Sequence, residues 1–186
     1  MNVLQTDLPG VLVVEPRVNR DERGFFVESY QVPRYAQHGI DATFIQDNHS
    51  RSVRGTLRGL HAQLERPQAK LLRVLQGTIF DVVVDVRRGS QTFKRWISVE
   101  LSADNFRQIY VPIGFAHGFC VLSDWAEVEY KCSDLYQAGD ELGLAWNDPE
   151  IGVAWPIAEP LLSDKDRNGQ PLARLQDRLP AFGARR

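Results

Sequence analysis

The sequence predicts an all-β sandwich or barrel with a few short peripheral helices. Three observations carry this. Short runs rich in Val, Ile, Phe and Tyr recur along the chain, and turn residues separate them at close spacing. No alternation of helices and strands is present, which argues against a doubly wound sheet.

The predicted strands, in order, are 11–15, 25–30, 43–48, 70–75, 78–86, 95–101, 108–112, 118–122 and 126–131. Gly77, the cluster Arg88-Gly89-Ser90, the run Ser102-Ala103-Asp104 and the pair Ser123-Asp124 punctuate them. Residues 31–38, closed by Gly39, can form one short helix, and residues 172–176 a further helical turn. From about Asp164 the chain turns polar and loses periodicity. That tail, 164–186, either wraps the sandwich or frays.

The 186 residues suit one domain with a sizeable core, residues 1–186. Hydrophobic residues make up 43% and charged residues 25%, the balance of a globular chain, and the formal charge is -2. That charge gives no general basic surface for nucleic acid, so an anionic ligand must meet a local cluster of cations. Cys120 and Cys132 form no C-x-x-C pair, which argues against a zinc ribbon or redox motif; Cys120, in an apolar run, reads as a buried thiol. The segment MNVLQTDLPG lacks a basic region, and no run reaches the roughly 20 apolar residues that span a bilayer. The expectation is a cytoplasmic chain that meets neither membrane nor nucleic acid.

Four histidines could carry chemistry: His38, His49, His61 and His117. His38 sits beside Gly39 at a helix end and is the weakest candidate. His61 closes the run Leu57-Arg58-Gly59-Leu60-His61, and Gln63 shares its face if the strand alternates. Lys70 begins an apolar strand, where a lysine either faces a cavity or guards an edge. The run from Pro112 to Phe119 places His117 after a turn at the start of an apolar strand, as a side chain at a barrel mouth or as a core histidine. Tyr130 ends a strand, where tyrosine commonly packs with its hydroxyl in water. The stretch Ser163-Asp164-Lys165-Asp166-Arg167-Asn168-Gly169, by itself, reads as a solvated loop.

Taken together these segments resemble the dTDP-4-dehydrorhamnose 3,5-epimerase family. The resemblance runs from about Gly10 to Asp166. It is carried by Asp21-Glu22-Arg23-Gly24-Phe25-Phe26, Gln46-Asp47-Asn48-His49-Ser50, Leu57-Arg58-Gly59-Leu60-His61, Gln68-Ala69-Lys70-Leu71 and the run Phe80 to Arg87. It continues through Gly114-Phe115-Ala116-His117-Gly118-Phe119, Glu129-Tyr130-Lys131 and Trp146-Asn147-Asp148-Pro149. Each segment alone is weak; in this order and spacing they are specific. The resemblance implies a cupin-type jelly roll that works as a homodimer, with residues 1–30 exchanged with or packed on the partner. Metal-binding cupins carry a His-x-His pair, a Glu and a further His. Here Gln63 stands at the second His and Lys70 near the Glu. A cation there cannot ligate a metal, so the expectation is a site with no metal and no cofactor.

The family's roles, carried to matching positions, make His61 the base, Asp166 the carboxylate that orients it, Lys70 the donor to the C4 oxygen and Tyr130 the acid on the far face. The implied substrate is dTDP-4-dehydro-6-deoxy-D-glucose, inverted at C3 and C5. Arg23, Arg58 and Lys165 would meet the diphosphate, with Gln46, Asn48, Glu28, His117 and Glu141 completing the site, and Arg23 and Glu28 coming from the partner subunit. Phe25 and Tyr136 either pack on the thymine or serve ordinary packing. His49 receives no role. Gln91 stands where the family often has proline, and Lys165 where some members have arginine. Three rivals remain: an epimerase acting at C3 only, a metal-dependent cupin oxygenase, and a binding cupin without catalysis.

Overall fold

In the computed structural model, which describes residues 1–183, the expected strand-rich chain folds as two facing sheets. In chain order the strands are β1 (Asn2–Gln5), β2 (Leu12–Glu15), β3 (Val18–Asp21), β4 (Gly24–Val27), β5 (Gln46–Val53), β6 (Leu57–Gln63) and β7 (Lys70–Gln76). They continue with β8 (Thr78–Asp85), β9 (Trp96–Ser102), β10 (Gln108–Val111), β11 (Phe115–Val121), β12 (Trp125–Cys132) and β13 (Glu141–Gly143). One sheet has the order β1-β2-β10-β7-β12-β5, the other β13-β6-β11-β8-β9, and β3 pairs with β4 as a separate hairpin. The named pairings are all antiparallel. This is an all-β sandwich, as the patterning predicts, and it is jelly-roll-like, as the resemblance implies.

The period-2 alternation of the strands sorts side chains between layers. Leu72, Val74, Ile79, Val83, Leu101, Ile109, Phe119 and Val128 meet between the sheets in a dry core. Leu60, Val82, Val84 and Ala116 face the opposite way and are covered by Leu142, Leu144, Leu172, Leu175 and Leu179. The last three leucines belong to the polar tail, which through Leu179 packs on the five-stranded sheet. Each such burial stabilises by about 1.5–3 kcal/mol. On the far side of the six-stranded sheet, Leu12, Leu71 and Tyr110 pack under Tyr35 and Ile40.

Tyr35 lies in α1 (Val32–Ala36), a single turn with Pro33 near its start, inside the segment predicted as helix. Two further short helices, α2 (Asp164–Arg167) and α3 (Leu172–Leu175), follow late in the chain. Among the described residues no helix is long and apolar enough to cross a membrane.

Several boundaries differ from the sequence reading. The strand expected at 25–30 stops at Val27, because Ser29 turns its carbonyl to the Tyr35 hydroxyl and the Gln108 amide. The strand expected at 118–122 already begins at Phe115. The largest shift is in β5, expected at 43–48 and found at Gln46–Val53. Its full length pairs with β12, from Gln46↔Cys132 to Val53↔Trp125. The inward face of β5 carries Gln46, Asn48, Ser50 and Ser52, so apolar alternation could not reveal it. That polar face is where the sandwich interior stops being dry.

Candidate active site

The wet end of the sandwich lies between β6 of one sheet and β7, β12 and β5 of the other. β6 is bent to reach it. Gly59 has φ +109°, and a Cβ there would lie 2.6 Å from the Gly118 Cα on β11. Two glycines thus let β6 and β11 approach closely and put His61 directly opposite His117. Across the gap, Lys70 continues the inward row of Leu72 and Val74, and Tyr130 that of Ala126 and Val128. Two cavity lobes, of about 320 and 430 Å³, share His61, Lys70, Tyr130 and Lys165 and form one cleft. Gln46, Asn48, Gln63, Tyr136 and Glu141 line the first lobe; Ser50, Arg58, His117, Ser163 and Asp166 line the second.

His61 sits between two carboxylates. Its Nε2 is 2.6 Å from Asp166 Oδ1 and its Nδ1 is 3.0 Å from Glu141 Oε1. Burial works against the charged ring, but the bonds to Asp166 and Glu141 outweigh it and hold the imidazole above its usual range. Burial likewise disfavours the Asp166 carboxylate, yet the contacts with His61 and Ser163 keep its pKa low. Glu141 shows the same contest more strongly: burial is overcome by His61 and then Lys165, and its pKa falls to about 2. Lys165 reaches both Glu141 oxygens, at 3.0 and 2.9 Å.

Lys70 stands on β7, between β10 and β12. It is therefore no guard of a sheet edge; its ammonium faces the cleft and has no hydrogen-bond or ion-pair partner among the described residues. Burial pushes its pKa down, which makes it a readier proton donor. The buried thiol of Cys132 stands opposite on β12. Tyr130 packs its ring on the dry core and lines both lobes, and burial pushes its phenol pKa up.

The remaining predicted residues divide into two groups. Arg58 donates from Nε to Ser52 Oγ at 2.9 Å and faces the second lobe. Gln46 donates to Asn48 Oδ1 and accepts from the Tyr136 backbone N–H, which fastens the Tyr136 loop to β5. The Tyr136 hydroxyl donates to Glu141 at 3.3 Å, while its ring is exposed. His117 is buried, with Nε2 2.8 Å from Asp81 Oδ2. The cleft of this chain does not gather Arg23, Phe25 or Glu28. Arg23 pairs with Asp21 at 2.6 Å and Glu28 with Arg34 at 2.6 Å. Phe25 meets Phe106 edge to face on the β3–β4 hairpin, which lines its own cavity of about 420 Å³.

Three functional contributions escaped the sequence reading. Ser163, read as part of a solvated loop, caps α2: its Oγ accepts from the Asp166 N–H and donates to Asp166 Oδ2 at 2.7 Å. A Ser-x-x-Asp spacing is a capping signal and was there to be found. The Gly59 N–H donates to Asp166 Oδ1 at 3.3 Å. Asp81, hidden in the apolar β8, partners His117, and its buried Oδ1 makes no hydrogen bond among the described residues. Gln63 shares the cleft with His61 as the alternation predicts, but its amide is spent on Arg66, Leu135 and Gln137 backbone groups. Among the described residues no group of three or more His, Cys, Asp or Glu side chains is arranged to hold a metal ion.

A family profile described as dTDP-4-dehydrorhamnose 3,5-epimerase matches residues 5–174. The dTDP-4-dehydrorhamnose 3,5-epimerase of Shigella flexneri is 53% identical over 172 residues, 91% of this chain and 95% of that protein. Among solved structures, dTDP-6-deoxy-D-glucose-3,5-epimerase RmlC from Legionella pneumophila, in complex with dTDP-4-keto-L-rhamnose, superposes with a TM-score of 0.95 at 45% identity. That superposition covers 98% of this chain and 99% of that one. ChmJ, a 3'-monoepimerase from Streptomyces bikiniensis, superposes with a TM-score of 0.89 at 38% identity, over 95% of this chain and 92% of that one.

Proposed function

The chain belongs to the dTDP-4-dehydrorhamnose 3,5-epimerase family, and on that premise we propose that it inverts C3 and C5 of dTDP-4-dehydro-6-deoxy-D-glucose to give dTDP-4-dehydro-L-rhamnose, a step of dTDP-L-rhamnose biosynthesis. The observation that carries this reading is the His61–Asp166 contact of 2.6 Å at a cleft that also presents Lys70 and Tyr130.

A C–H next to a ketone is weakly acidic. Its removal needs a base at carbon and a donor at the ketone oxygen, where negative charge gathers. His61 is the base, and Asp166 fixes its ring as the carboxylate does in other His–Asp pairs. Lys70, with a pKa lowered by burial and no ion-pair partner among the described residues, is the donor at the C4 oxygen. Inversion needs a proton from the opposite face, and Tyr130 is the acid that supplies it in this reading. The ketone itself makes the protons labile, so no cofactor is required.

Arg58 and Lys165 are the cleft's cations for the diphosphate, and arginine suits phosphate through its two-pronged donor set. Gln46, Asn48 and His117 offer polar contacts, and the exposed Tyr136 ring a face for the thymine. Arg23, Glu28 and Phe25 serve the cleft of a second subunit. What supports this homodimer is the β3–β4 hairpin: Phe25 and Phe26 are 58% and 71% exposed, and the hairpin joins neither large sheet.

The test is incubation with dTDP-4-keto-6-deoxyglucose in deuterated water. Label at both C3 and C5, with the L-rhamno product, is expected. Label at C3 alone would assign the activity of a 3-epimerase.

A further inference from the structure

The base just assigned has both ring nitrogens occupied. Asp166 takes Nε2 and Glu141 takes Nδ1, at 2.6 and 3.0 Å. A neutral imidazole carries one N–H and no charge, whereas two carboxylates at these distances favour the imidazolium, whose charge faces both. An imidazolium has no lone pair with which to take a proton from carbon. The two carboxylates therefore hold His61 in the protonation state opposite to that of its first step.

The two carboxylates are held very differently. Asp166 is 5% exposed and is fixed by the Gly59 N–H, the Ser163 hydroxyl and the N-terminal turn of α2. Glu141 lies on the three-residue edge strand β13. Its other partners are Lys165, 55% exposed, and the hydroxyl of the exposed Tyr136. One carboxylate is part of the scaffold; the other rests on side chains at the mouth of the cleft.

We propose that Glu141 is a positioning residue that caps Nδ1 of His61 in the free protein, and that a seated sugar displaces this cap with release of one proton to solvent. The proposal rests on the reading of His61 as base. In the exchange, the Nδ1–H bond of His61 breaks and the proton passes to water. The lone pair it leaves faces the sugar carbon. The Glu141 carboxylate, still neutralised by Lys165, accepts from the sugar's hydroxyl groups in place of the ring. The base is thus produced only when a substrate stands ready to use it.

The groups facing His61 can be named from every side. They are Asp166 and Lys165 of α2, Glu141 of β13, Lys70 of β7, Tyr130 of β12, and the His117–Asp81 pair of β11 and β8, with Arg58 on its own strand and Tyr136 in the neighbouring loop. Among them only Glu141 and Asp166 contact the ring as ion-pair partners.

The test reads the ring directly, by nitrogen-15 NMR titration of His61 in the free protein, wild type and Glu141→Gln. The glutamine keeps the shape of the side chain, and a melting curve confirms its fold. Wild type is expected to carry protons on both nitrogens at neutral pH, and the variant to lose one at a pH about 1–3 units lower. A single proton at neutral pH in wild type, or identical titrations, overturns the cap. Calorimetry in buffers of different ionisation heat supplies the second arm, with dTDP-glucose, which has no ketone to react, and dTDP as probes. Dependence of the heat on the buffer for dTDP-glucose but not for dTDP supports displacement by the sugar; no dependence for either refutes it. Neither arm involves turnover, so a His61→Ala protein that still exchanges protons would defeat the base assignment and leave these readings intact.

Discussion

His61 and His117 stand opposite each other on adjacent strands, and each has a carboxylate on Nε2. Their surroundings differ. His61 meets a second carboxylate on Nδ1, borders both cleft lobes, and rests on an Asp166 whose carboxylate also accepts from the Ser163 hydroxyl and the Gly59 N–H. His117 borders one lobe, and its partner Asp81 is fully buried with one oxygen that makes no hydrogen bond among the described residues. The same pair of residue types thus serves two purposes. At His61 the buried carboxylate has its own supports and the ring lies between it and the mouth of the cleft. At His117 the ring supports the carboxylate.

The largest expected effect tests the first half of that contrast. His61→Ala should lower solvent exchange at both C3 and C5 by about 10² to 10⁴, the usual cost of losing a general base. The protein should stay folded, because Lys165 and Ser163 still partner Glu141 and Asp166. Near-normal exchange in a folded variant would remove His61 from its role.

The second half predicts a different loss. His117→Ala leaves Asp81 buried and unpaired, which costs about 3–5 kcal/mol of stability. A denaturant titration should record it, while exchange per folded molecule falls much less than in His61→Ala. If instead stability holds and exchange collapses, the two histidines share the chemistry and the contrast breaks.

How much of this was legible in the sequence follows the same division. The dry strands β7, β8, β10 and β12 announced themselves by apolar runs, since both their faces or their inner faces are greasy. β5 did not: its inward residues, Gln46, Asn48, Ser50 and Ser52, are polar because they wall the cleft. A strand reader fails there for the reason that the site exists. His61 and Lys70 drew notice as polar groups in apolar company. Asp166 became meaningful only through resemblance, because its partner lies 105 positions away and its loop looked solvated. The Ser163 cap was readable; Asp81, a carboxylate inside an apolar run, had no local signal to separate it from a strand's wet face. The β3–β4 hairpin reads as strand, yet nothing in its pattern says which subunit it serves.

Tyr130→Phe sharpens the contrast from the other side of the cleft. The ring keeps its packing on the dry core, so folding and binding should survive. The hydroxyl that delivers a proton to the far face is lost. His61 can still draw protons from the substrate, so washout of substrate label should persist while net inversion falls far more, by about 10²-fold. Equal losses in both rates would mean that Tyr130 is not a separate acid.

pH offers a smaller, signed effect. Glu141 and Asp166 have folded pKa values below their ordinary ones, Glu141 falling from 4.5 to about 2. Their contribution to stability is present above the ordinary carboxylate range and is lost as pH falls through the folded values. His61 is raised above its ordinary 6.5. Its contribution is full below 6.5 and is lost as pH rises through the folded value. Stability from this cluster should therefore peak in mild acid and decline on both sides, by about 1.4 kcal/mol for each tenfold difference in proton affinity between the folded and unfolded chain. In His61→Ala the alkaline decline should flatten; an unchanged slope would assign it to other groups.

A third histidine sets the lower limit of the comparison. His49 lies on β5 like the cleft residues Asn48 and Ser50, but alternation turns it to the outer face. There its Nε2 is 3.3 Å from Glu127, with 53% and 23% of the two side chains exposed. An exposed pair of this kind is worth about 0–1 kcal/mol. His49→Gln should therefore leave exchange at C3 and C5 unchanged and move the melting midpoint by no more than that small energy allows. The result has force because His49 sits one residue from the cleft wall. If proximity in sequence determined function, it would matter; if the direction in which a strand points a side chain determines it, it will not. A large loss of stability on this variant, growing as the protein is diluted, would show that the outer face of β5 is covered by a second subunit. The dimer contact would then extend beyond the β3–β4 hairpin.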